Sequence, residues 1–169
     1  MIYEILGPFE IPRDETTGLT DDKEVKNFWR ERGDCATACG CYLFAIKASK
    51  GIKPWYVGVA NKLTFSQEAL TKPKLKIYDN VISIRKGKPL LFLIARKTNT
   101  GKFAKSPKNK IKEIDYLETI LIGAALDKNK DLLNIQKTKR LKNLIVPGLI
   151  NTSRGKRSVA VKEFVKAIK

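Results

Sequence analysis

The sequence predicts an α/β fold, a small antiparallel sheet with helices packed against it. Three observations carry that prediction. Two nearly continuous apolar runs rich in β-formers, CYLFAIK (41–47) and WYVGVA (55–60), flank the short stretch ASKGIKP, the pattern of a hairpin covered on both faces. A third run of the same kind, PLLFLIAR (89–96), predicts another buried strand. IKEIDYLETILIGAALDK (111–128) then keeps apolar side chains at helical spacing for about five turns. The order hairpin, helices, strand, helix is that of a sheet with helices laid on it.

The remaining elements follow along the chain. MIYEILGPFEIPR (1–13) is interrupted at Gly7, Pro8 and Pro12 and allows at most a short strand. TDDKEVKNFWRERG (20–33) predicts a helix: Thr20 or Asp21 caps it, and Glu24 completes a box with Asp21. Val25, Phe28 and Trp29 share a face, and Gly33 ends it. LTFSQEALTK (63–72) and KLKIYDNVISIRKGK (74–88) predict one or two short helices broken at Pro73. KTNTGKFAKSPKNK (97–110) is a basic loop. RGKRSVAVKEFVKAIK (154–169) ends in a helix, with Val161, Phe164, Val165 and Ile168 at helical spacing that suits packing on the domain or a homodimer.

Composition bounds the partners. With 43% hydrophobic and 30% charged residues the chain reads as globular, and its apolar runs fall far short of a membrane span. Without a signal-peptide pattern, a cytoplasmic location is expected. The net charge is +17, divided unevenly: residues 1–35 hold nine acids and five bases, residues 36–169 eight acids and 29 bases. Such an excess over the main body favours a polyanion, most simply nucleic acid; the alternative is a lysine-rich solvated face. Cys35, Cys39 and Cys41 form C-x3-C-x-C, but the chain has no histidine, so a closed zinc site would need a carboxylate or a second chain, and reduced thiols are expected.

The hairpin raises a chemical question, because Tyr42 and Tyr56 each have a glycine two residues away, Gly40 and Gly58. With an odd loop such as Ser49-Lys50-Gly51 the tyrosines share a face, Tyr42 opposite Gly58 and Tyr56 opposite Phe44. The glycines would then leave empty space beside the hydroxyls. An even loop would part the tyrosines, and packing is the other explanation for both. On the helix 111–128, Glu118 points within a stripe of Ile111, Ile114, Leu117, Leu121, Ile122 and Ala125. A carboxylate there needs a lysine partner or a divalent cation.

In order, Gly40-Cys41-Tyr42, Tyr56-Val57-Gly58, Glu118 in LETILI and Asn134 closing LLN, the chain resembles the GIY-YIG nuclease superfamily over residues 39–136. The resemblance implies a three-stranded antiparallel sheet flanked by helices and metal-assisted hydrolysis of phosphodiesters. By that likeness residues 1–38 are an acidic N-terminal extension, 39–136 the core and 137–169 a basic C-terminal extension. Tyr42 and Tyr56 would be the paired phenols, one orienting or deprotonating the attacking water and the other holding the phosphate. Glu118 would be the single-carboxylate ligand of Mg²⁺ or Mn²⁺, and Asn134 would brace the site. Two features depart from the family. No arginine lies between Val59 and Ile84, where a catalytic one is usual, and Val59 replaces the lysine often found after the second glycine. The stretch FSQEALTKPKLKIYD is similar to a divergent branch of the family, which makes Lys74 the preferred substitute cation, ahead of Lys62 or Arg85, and draws in Glu68.

Two functions follow as expectations: an endonuclease, or a nuclease fold that only grips nucleic acid or a partner protein. A basic structural protein is the third reading, resting on charge alone. DNA is favoured over RNA, with no membrane partner. The expected backbone contacts are Lys62, Lys72, Lys76 and Arg85 after the second motif, Lys137, Lys139 and Arg140 after Asn134, and Arg154 and Arg157 before the last helix.

Overall fold

Four strands, β1 (Ile2–Glu10), β2 (Gly40–Ala48), β3 (Gly51–Ala60) and β4 (Lys88–Lys97), form one antiparallel sheet in the order β1-β4-β2-β3. They belong to a computed structural model that describes residues 1–14, 17–146 and 158–168. The helices are α1 (Asp22–Glu31), α2 (Phe65–Glu68), α3 (Lys72–Ile84), α4 (Lys112–Lys128), α5 (Ile135–Asn143) and α6 (Val159–Ile168), with a short 3-10 helix at Gly33–Thr37. The chain divides into two compact units, Met1–Asn134 and Ile135–Lys169. The general α/β class is as expected, but the sheet has four strands rather than three.

Both sheet faces are covered, which is why the strand sequences are continuously apolar. On one face Tyr42, Phe44, Leu91 and Leu93 share a core with Phe28 and Trp29 of α1, Phe65 of α2, and Leu75, Tyr78 and Val81 of α3. On the other, Cys39, Cys41 and Ile94 meet Ile114 of α4, with Leu117 and Leu121 packed alongside. Cys35, Cys39 and Cys41 are buried thiols outside any disulfide, and burial pushes the Cys35 and Cys39 thiols up. The expected helix 20–33 is α1: the Asp21 carboxylate accepts from the Glu24 N–H at 2.7 Å, and Phe28 and Trp29 anchor it to the core.

The fourth strand comes from the segment expected to give at most a short strand. β1 pairs with β4 from Ile2↔Lys97 to Glu10↔Leu90, and an irregularity between Leu6 and Phe9 absorbs Gly7-Pro8. On an edge strand a missing N–H costs no ladder bond, so the proline is tolerated. Pro73 likewise does not break a helix. It stands in the first turn of α3, where its absent N–H would have had no partner, and the interruption falls just before it.

The β2–β3 hairpin has an even loop, Ser49-Lys50, between the paired residues Ala48 and Gly51. Taken alone, that would put the tyrosines on opposite faces. A bulge restores the register: Ala45 pairs with Pro54 and Phe44 with Tyr56, leaving Trp55 as the extra residue. Tyr42 therefore does lie opposite Gly58, and Tyr42 and Tyr56 share a face, by a different route from the odd loop expected.

Candidate functional site

Gly58 answers the question of the hairpin. A Cβ built there would overlap the ring and hydroxyl of Tyr42, so the bare backbone is occupied by the phenol itself. The expected empty space is absent at this point. At Gly40 (φ +150°) a Cβ would meet the Ile94 carbonyl of β4, so this glycine serves close backbone approach rather than substrate access.

Tyr42 is wholly buried, and its hydroxyl has no hydrogen-bond partner among the described residues. Burial, and then the nearby Tyr78, Tyr56, Glu68 and Glu118, push its phenol far above the ordinary range, so it stays protonated. Tyr56 is half-buried, its ring centroid 6.2 Å from that of Tyr42. Tyr78, stacked on Phe44 at 4.1 Å, lies behind both, donates to the Ala69 carbonyl at 3.1 Å, and is also raised by burial.

Lys74 comes up from α3 onto this group. Its ammonium donates to the Tyr56 hydroxyl at 2.6 Å and lies 4.8 Å from the Tyr56 ring centroid. The Glu68 carboxylate stands 4.0 Å from the same ammonium, both side chains being partly shielded, 28% and 21% exposed. Lys74 and Tyr78 lie one turn apart on α3, which places both against Tyr56. Accepting from Lys74 leaves the Tyr56 hydroxyl proton available for another acceptor. Glu118 is half-buried on α4, and its charge reaches the Tyr42 phenol.

The segment after α4 closes the edge of β3. Asn134 accepts from the Val57 N–H at 2.9 Å and donates back to the Val57 carbonyl at 2.6 Å, as a neighbouring strand would. The Leu133 N–H donates to the Trp55 carbonyl at 2.9 Å, and Asn129 Nδ2 to the Pro54 carbonyl at 2.7 Å. At the far end Asn61 accepts from the Ile111 N–H at 2.9 Å, and its amide donates to the Ile111 carbonyl and to Asp115. Asn134 thus holds the backbone between Tyr56 and Gly58. Asn61 and Asn129 were not singled out in the sequence, where a buried asparagine leaves no periodic signal; Tyr78 is the tyrosine of the stretch FSQEALTKPKLKIYD.

No protein-family model, curated protein or solved structure matches the chain.

The structure therefore brings together Tyr42, Tyr56, Lys74 and Glu68, with Asn134 bracing the strand that carries Tyr56, while Glu118 stands on α4 and reaches this group only through its charge on the Tyr42 phenol. In the first unit the expected backbone contacts are dispersed. Lys62 is exposed beyond β3, and Lys72 and Lys76 are exposed on α3, Lys72 with Asp22 at 3.4 Å. Arg85, exposed at the end of α3, has its guanidinium carbon 5.6 Å from the Trp55 ring centroid. In the second unit, α5 carries Lys137, Lys139 and Arg140; Arg154 and Arg157 lie outside the described residues. Among the described residues no group of three or more His, Cys, Asp or Glu is placed to hold a metal ion, and no helix is long and apolar enough to cross a membrane.

Proposed function

We propose that the chain is a metal-dependent endonuclease of the GIY-YIG type that hydrolyses phosphodiester bonds in nucleic acid. The observation that carries this reading is the Lys74 ammonium 2.6 Å from the Tyr56 hydroxyl, a fixed cation on the second-motif phenol in a chain that lacks the usual arginine. Lysine is a compact point charge with three donors, so one N–H can stay on Tyr56 while the others meet the non-bridging oxygens of a phosphate. Glu68 keeps the ammonium in place. Of the two phenols, only the half-buried Tyr56 can touch a substrate, and its hydroxyl can donate a hydrogen bond to a non-bridging phosphate oxygen. Tyr42, held protonated and buried, is a positioning residue behind it.

A closed cage of carboxylates is not built among the described residues. Magnesium, however, keeps most of its water and takes one or two protein carboxylates, which suits a site supplied by the single carboxylate Glu118, whose charge is felt at the Tyr42 phenol. Glu118 would hold Mg²⁺ or Mn²⁺, and when bound the ion would polarise the phosphoryl oxygens and ease departure of the leaving oxygen. A second reading, a nuclease fold that grips nucleic acid or a protein without cutting, is favoured by the complete burial of Tyr42, since the paired phenols cannot both face solvent.

Cleavage of labelled single-stranded, duplex and branched DNA and RNA with Mg²⁺ or Mn²⁺ separates the two. The expected result is metal-dependent cutting, DNA before RNA, that Glu118→Ala abolishes and Lys74→Arg retains. Salt-sensitive binding without cutting in either metal overturns the nuclease reading in favour of the binding module.

A further inference from the structure

Beyond the tyrosines, the first unit carries a cleft of about 560 Å³ at the hairpin tip, between β2, β3 and the end of α3. Trp55, the bulged residue, forms its floor, and Lys50, Lys53, Arg85, Lys86 and Lys128 surround it. No acid lines it, and among the described residues none of these five cations is within ion-pair distance of a carboxylate. Two of them are instead held by the indole: Lys53 Nζ stands 5.0 Å and Arg85 Cζ 5.6 Å from the Trp55 ring centroid. A ring face orients a cation without neutralising it, so the charge remains available to an anion.

The cleft walls are not purely charged. Ile52 and Ile84, 49% and 76% exposed, stand among the lysines. An exposed apolar side chain beside cations gains from an unstacked base or sugar, which a single strand presents and a duplex keeps inside. The volume falls in the range of a small-molecule site and admits a nucleotide unit rather than a double helix. The cleft also shares α3 with the candidate site. Lys74 and Ile84 are ten residues apart on that helix, about 15 Å at its rise per residue.

We infer that the Trp55 cleft is a second contact for a single-stranded segment of nucleic acid, binding its phosphates a few nucleotides away from the one at Lys74 and Tyr56. The inference rests on the nucleic-acid part of the proposed function and is independent of whether the chain cuts. Phosphate is the chemistry recognised. Free polyphosphate offers the same anion, and the isoleucines favour the strand.

The test is binding of a labelled 12-nucleotide single strand and of the matching duplex (both about one turn of duplex long) to the whole chain in EDTA, across a salt series. Lys53→Gln/Arg85→Gln/Lys128→Gln is compared with Lys105→Gln/Lys108→Gln/Lys110→Gln, which removes equal charge from exposed positions in the loop before α4. The cleft variant is expected to bind the single strand about tenfold or more weaker than the loop variant. Its slope of log K against log salt should fall by about 2, from three lost phosphate contacts on a single strand. Equal loss in the two variants, equal loss for duplex and single strand, or absence of binding by the wild-type chain overturns the inference. So does displacement of the strand by inorganic tripolyphosphate at equal phosphate concentration, which would mark a free-polyphosphate site. Because EDTA prevents metal-dependent cutting, a chain that never cleaves can still pass this test, and one that cleaves can fail it.

Discussion

At Gly58 a methyl group would land on the Tyr42 ring, and that contact joins packing to chemistry at single-residue scale. Tyr42 is buried for its ring but carries a hydroxyl with no partner among the described residues, and an unsatisfied buried hydroxyl is costly. Tyr42→Phe should therefore raise stability by about 1 kcal/mol in urea unfolding while cleavage falls. Alkaline pH gives a second readout. The folded Tyr42 phenol is held far above its ordinary value by burial, whereas the unfolded chain releases that proton near pH 10. Its stability contribution is present below about pH 10 and is lost as pH rises, at about 1.4 kcal/mol per pH unit. The phenylalanine variant should lose stability less steeply there, keeping the share due to Tyr78. A variant less stable than wild type at pH 8 would mean that the hydroxyl is satisfied in solution.

Among the elements, β3 is the one whose placement decides the site. It is an edge strand, yet the Pro54 and Trp55 carbonyls and the Val57 N–H and carbonyl are taken up by Asn129, Leu133 and Asn134 from the segment after α4. Asn134→Ala would leave the Val57 N–H and carbonyl unpaired in a buried position. An expected loss of about 2–3 kcal/mol follows from two orphaned groups. Hydrogen exchange at the Val57 amide should accelerate more than at its neighbours, and cleavage should drop because the backbone carrying Tyr56 is loosened. Unchanged Val57 protection would show that Asn134 does not brace this strand. The hairpin itself was legible because both its faces are covered, which makes CYLFAIK and WYVGVA continuously apolar. The bulge at Trp55 was not, since nothing in the order of residues distinguishes an extra one. α5 was also missed: IQKTKRLKN is too basic to show an apolar period.

For the first unit as a whole, the N-terminal segment is part of the sheet rather than an appendage. β1 covers the edge of β4, a long apolar strand, and Phe9, Ile11 and Leu6 pack against the main core. Deleting residues 1–12 should therefore expose that edge and give aggregated or poorly folded protein in size-exclusion chromatography and circular dichroism. A monomeric, cooperatively folding shortened chain would refute this. β1 was read as at most a short strand because Gly7 and Pro8 interrupt it and because Ile2 and Ile5 face solvent at 62% and 73% exposure. Both are ordinary on an edge and misleading when read as though for a central strand.

The sequence by itself determined the α/β class, the buried hairpin, the long helix that carries Glu118, and the basic surplus. Each of these is written in local periodicity or in composition, which need no knowledge of what lies across the fold. Tertiary structure alone decided that Gly58 houses the Tyr42 ring, that a bulge and not the loop sets the tyrosines on one face, and that β1 completes the sheet. It also decided that the Lys74 ammonium lies on Tyr56, which the resemblance had only made the preferred substitute. These depend on contacts between residues far apart in the chain, where close packing and the need to pair every buried polar group choose among arrangements that local pattern leaves equal.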